Sequence, residues 1–100
     1  MRNREQTREA LGIRPEAIVV GGVGRLEPVK GFTYFVAMVK ALTAMEQPLR
    51  FFLIGDGALR PELEQQATSE GVSIEFLGLR EDVPALMAAL DVLVVPSINE

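Results

Sequence analysis

Arg25 and Lys30 stand five residues apart in a loop that glycines bound on both sides, with Gly22 and Gly24 before it and Gly31 after it. Glycine lets a backbone turn tightly and approach a ligand closely. Arginine offers a planar fork of donors to phosphate oxygens, and lysine offers a point charge. A helical pattern opens at Gly31, and the first turn of a helix adds amides that lack partners. Such a loop can hold a diphosphate; read from spacing alone, it can equally be a turn carrying two surface charges. Two common phosphate-binding patterns do not fit. The dinucleotide fingerprint needs a third glycine where this chain has Glu27, and the P-loop needs Ser or Thr where Gly31 follows Lys30. Gly55, Asp56 and Gly57 form a second strand-to-helix turn, and Asp82 suits the cap of a later helix.

Other chemistries are excluded by composition. The 100 residues contain neither cysteine nor histidine, so they supply no disulfide, thiolate nucleophile or imidazole base. No metal site is expected. The net charge of −4 disfavours nucleic acid as a partner, because little phosphate charge could be neutralised. No apolar run approaches the roughly 20 residues of a membrane helix, and Met1 to Gly12 lacks a signal-peptide core. Absent cysteine fits a reducing, cytoplasmic location. The chain is 48% apolar and 24% charged, which suits one globular domain over residues 1–100.

The elements that must position these loops alternate along the chain. Arg2 to Leu11 reads as a short charged helix stopped by Gly12; with Ala10, Leu11 and Ile13 as its only apolar anchors, it is expected to dock weakly. Ala17 to Val23 is a short apolar run suited to a strand covered on both faces. Phe32, Phe35, Val36, Val39 and Leu42 then form one helical stripe. Arg50 to Ile54 is a second strand. Leu59, Leu63, Gln66 and Ala67 follow a helical period, with Pro61 in its first turn and Gly71 at its end. Val72 to Leu77 is a third strand, whose Glu75 suits a sheet edge. Val83, Leu86, Met87 and Leu90 make a further stripe behind Asp82. Asp91 to Val95 is a fourth strand. This α/β alternation with short connections implies a parallel sheet, and ligands in such sheets lie beyond the strands' C-terminal ends. The residues just after each strand are therefore the ones to weigh.

Four segments in this order, Val23 to Gly31, Phe52 to Gly57, Ile74 to Gly78 and Asp91 to Glu100, make the chain resemble a known family. It is similar to the C-terminal, donor-binding domain of family 4 retaining glycosyltransferases of the GT-B fold. The resemblance implies a partial Rossmann-like three-layer sandwich, with a four-stranded parallel sheet in the order 3-2-1-4. It implies a nucleotide-diphosphate sugar as donor substrate, with no separate cofactor. Arg25 and Lys30 match the pair that holds the diphosphate and stabilises it as it leaves. Gly78, Leu79 and Arg80 match the loop that lies against the base, largely through backbone groups. Gly22 and Gly24 belong to the first loop, Gly55 and Gly57 to the turn that shapes the donor cleft. Glu100 matches the first of two glutamates and contacts the donor sugar. On this reading the chain is the N-terminal part of that domain, without its last strands and without the acceptor domain. It is expected to bind donor weakly and not to turn over alone. An isomerase or phosphorylase on the same fold is a further alternative. A rival reading from another class is a non-catalytic half-domain that associates with itself, with the apolar fourth strand as its exposed edge.

Overall fold

The computed structural model describes residues 3–26 and 31–94. Helices and strands alternate through them. They are α1 (Arg4–Ala10), β1 (Ile18–Val23), α2 (Phe32–Thr43), β2 (Leu49–Ile54), α3 (Arg60–Glu70), β3 (Glu75–Gly78), α4 (Val83–Ala89) and β4 (Val92–Val94). The sheet order is β3-β2-β1-β4, and each neighbouring pair is parallel. The four-stranded parallel sheet in the order 3-2-1-4 is thus the observed architecture.

The period of two along each strand divides the core into two layers. Val20, Phe51 and Leu53 face one side, where they pack with Phe32, Phe35, Val36 and Val39 of α2 and Leu63 of α3. Val19 and Phe52 face the other side, with Ile13 and Ala17, and Leu90 packs against them. The stripe expected on α2 is the buried one: Phe32, Phe35, Val36 and Val39 are at most 1% exposed. Pro61 sits at the start of α3, and Gly71 ends that helix in a left-handed conformation.

Four details differ from the sequence reading. The third strand begins at Glu75 and not at Val72; Val72 and Ile74 instead lie half-buried against the first core layer. Glu75 does sit on the edge strand, where both its oxygens pair with Arg50 of β2 at 2.8 and 2.9 Å. This contact raises the Arg50 pKa above its ordinary value. In α4 the buried residues are Leu86 and Ala89, while Met87 is 40% exposed. This helix packs against α1, with Leu86 and Ala89 as its buried side chains. Asp82 does stand at the N-cap of α4, but its side chain makes no capping hydrogen bond.

The fourth difference is α1. Its docking is polar, so counting apolar anchors misjudges it. Arg4 donates to the carbonyl oxygens of Ala88 and Leu90 and to Asp91, at 2.7, 2.9 and 2.6 Å. Arg8, buried at 7% exposure, donates to Ala89, Ala17 and Arg14 oxygens and to Asp91. The last carbonyls of a helix lack intrahelical partners and carry partial negative charge, so guanidinium groups satisfy them well.

Candidate functional site

Three loops converge at the C-terminal ends of β1, β2 and β3. The first leaves β1 at Gly24 and is fastened at once to the loop after β2. The Gly24 amide donates to the Ile54 oxygen at 3.0 Å, and the Leu26 amide donates to the Asp56 oxygen at 3.1 Å. The Leu59 amide returns a bond to the Leu26 oxygen at 2.9 Å. Leu26 is fully buried in the first core layer, so it pins the loop while exposed Arg25, beside it, faces outward. The second loop needs its glycines. Gly55 has φ 130°, and a Cβ added there would overlap the Gly24 carbonyl oxygen. A Cβ at Gly57 would overlap the Leu26 carbonyl oxygen. The third loop begins at Gly78, whose oxygen accepts from the Gly55 amide at 2.9 Å. Leu79 follows at 84% exposure, then Arg80.

Together these loops enclose a cleft of about 200 Å³.

 A separate hollow of about 400 Å³ lies beside α1. Val23, Gly24 and Arg25 line the cleft from the first loop, Ile54, Gly55 and Asp56 from the second, and Leu79, Arg80 and Val83 from the third side. Two guanidinium-bearing residues, Arg25 and Arg80, thus border a hollow whose lining also includes Gly24 and Gly55. The Asp56 carboxylate is turned aside: it accepts from the Gly57 amide at 2.8 Å and lies 3.7 Å from Arg60. The hollow beside α1 is lined by Glu5, Arg8, Glu9, Ile13 and Pro15. It is the larger of the two, but its Arg8 is committed to carbonyl oxygens and Asp91, and it lies away from the loops that follow the strands.

The residues singled out from the sequence fall in different places. Gly24, Arg25, Gly55, Leu79 and Arg80 come together as cleft lining. Gly78 is outside the lining but joins the second and third loops through its bond to Gly55, and Gly57 lies close against the Leu26 backbone. Gly22 lies within β1, where a Cβ would meet Leu53 at 2.9 Å and Phe35 at 3.4 Å; it makes room for core side chains. Lys30 and Glu100 lie outside the described residues. Asp56 and Val83 border the cleft without having been singled out for binding, since a turn aspartate and a helix-stripe valine carry no distinguishing signal. Among the described residues there is no cluster of metal-ligating side chains, and no helix is long and apolar enough to cross a membrane.

The model of the family described as "Glycosyl transferases group 1" matches residues 17–100. This chain belongs to the group 1 glycosyl transferases. Its sheet order and flanking helices are those of GT-B members. It is 33% identical to Anabaena Alr3699/HepE, solved in complex with UDP, with a TM-score of 0.81 over 96% of this chain and 27% of that one. It is 29% identical to WaaG, a glycosyltransferase involved in lipopolysaccharide biosynthesis, with a TM-score of 0.84 over 97% of this chain and 27% of that one. Among curated relatives, it is 32% identical to a 2-deoxystreptamine glucosyltransferase of Streptomyces kanamyceticus, covering 96% of this chain. It is 38% identical to a D-inositol 3-phosphate glycosyltransferase of Corynebacterium urealyticum, covering 99% of this chain. The group 1 chain spans 26% of the length of each of these two relatives.

Proposed function

We propose that these residues bind the nucleotide-diphosphate sugar donor of a retaining glycosyltransferase. The observation that carries this reading is the convergence of Arg25 and the Gly78 to Arg80 loop on one cleft beyond the parallel strands. The HepE structure with UDP supports it, as a relative of the same family and fold. In this reading Arg25, with Lys30, holds the diphosphate, and the third loop lies against the base. Glu100 orients the sugar. As the glycosidic bond to the donor breaks, negative charge grows on the diphosphate, and fixed cationic donors stabilise that charge. Arg25 is suited to it because a guanidinium presents a planar fork of donors to phosphate oxygens. Transfer requires an acceptor held against the donor, since orientation supplies roughly 7–11 kcal/mol of such catalysis. The 100 residues are read as the donor-binding part of a longer enzyme, and a cytoplasmic location goes with their cysteine-free sequence.

Calorimetry with UDP tests the reading. Arg25→Ala removes a charge-assisted contact, and the expected loss is about 1.5–3 kcal/mol of binding free energy. Equal, measurable affinity in the two proteins would sink the assignment of Arg25. A second reading has its own observation: Val92 and Leu93 are 47% and 43% exposed on a strand paired, among the described residues, on one side alone. Self-association through β4 accounts for that surface and is compatible with donor binding.

A further inference from the structure

We propose that Asp82 is a positioning residue for nucleotide binding and acts through Arg80. The proposal rests on the donor-binding reading above and assigns a role to a side chain which that reading leaves unused. Asp82 occupies the position before α4, and its backbone oxygen accepts from the Leu86 amide at 3.0 Å, so its main chain starts the helix. Its carboxylate does something else. Oδ1 accepts from Arg80 Nε at 2.9 Å, and Oδ2 accepts from Arg80 Nη2 at 2.8 Å. This two-bond fork fixes the plane of the guanidinium as well as its place.

Arg80 lines the cleft, and Val83 lines it from the first residue of α4. The fork engages one edge of the guanidinium and leaves its two flat faces out of the hydrogen bonding. A flat guanidinium face stacks on a planar heterocycle. An arginine side chain has many rotamers, and ordering it on binding costs affinity; holding it in advance reduces that cost. Asp82 therefore prepares Arg80 for the base of the donor nucleotide. The pair stands at roughly one-third exposure on each side chain, so it lies at the cleft mouth where a ligand can reach it.

A double-mutant cycle with UDP as the probe tests this. Asp82→Asn removes the charged fork but retains a residue that starts a helix equally well. The expected result is a weakening of UDP binding of about fivefold to tenfold in the otherwise unchanged chain, and no further weakening in the Arg80→Ala background. A purely structural Asp82 would weaken binding equally in both backgrounds, and that result overturns the proposal. Unchanged affinity on Asp82→Asn overturns it too, as does loss of the folded state in that variant, which would assign Asp82 to the fold. Failure of the unsubstituted chain to bind UDP would overturn the donor-binding reading itself and this proposal with it. Binding by the unsubstituted chain with no coupling between the two residues would overturn this proposal alone.

Discussion

Gly55 shows how closely the cleft is built on single residues. Its φ of 130° is one that side-chain-bearing residues rarely adopt, and the Gly24 carbonyl occupies the space a Cβ would take. Gly55→Ala is expected to destabilise the fold by about 1–3 kcal/mol through backbone strain, and by more if the first loop cannot move aside. Urea unfolding would measure it, and an unchanged midpoint would show that the two loops are not in contact. At this scale the sequence was partly legible. Glycines after strands and an arginine beside them pointed to the right end of the sheet, and Arg25, Gly55 and Arg80 meet there. Gly22 has the same type and neighbourhood, yet it serves the core, because residue type does not reveal which face of a strand an α-carbon presents. Asp82 suits a helix cap, and it stands at the N-cap of α4. Only the positions of Arg80 and Asp82 in space show that the carboxylate turns back to the guanidinium.

Among the elements, α1 is held by Asp91. The Asp91 carboxylate accepts from the Val19 amide at 2.7 Å and from Arg4 and Arg8, so it joins α1, β1 and the start of β4. The hydrogen bond from Val19, with help from Arg4 and Arg8, lowers its pKa below the ordinary carboxylate value. A lowered folded-state pKa gives stability that is fully present above the unfolded pKa of about 3.9 and is lost as pH falls through the folded value. Asp91→Asn is expected to cost about 1–2 kcal/mol at neutral pH, the modest figure reflecting partial exposure of the carboxylate. The difference from the unsubstituted chain should shrink below pH ~4 as the native Asp91 takes up its proton. Urea midpoints at neutral and acid pH would check this, and a constant difference would contradict it. The long helices and β1 and β2 were legible because apolar periodicity marks burial directly. Docking of α1 was not, because it runs through guanidinium groups and helix-end carbonyls, which leave no periodic trace.

For the whole molecule, the exposed side chains of β4 bear on association. Val94 packs against the first core layer, so a charge there would disturb the fold and could not isolate an interface. Leu93 is exposed, and Leu93→Lys is the cleaner probe. Light scattering at micromolar concentration is expected to give about twice the 10.9 kDa chain mass for the unsubstituted protein, and a mass near one chain for the variant. A monomer in both would remove the self-association reading and leave the cleft untouched. The central claim is that the cleft at the strand ends binds a nucleotide diphosphate. Amide chemical shifts recorded during a UDP titration test it most directly. The account predicts that shifts concentrate at Gly24, Arg25, Gly55, Leu79 and Arg80. Saturable shifts centred instead on Glu5, Glu9 and Ile13 beside α1, or no shifts at all at millimolar UDP, would contradict it.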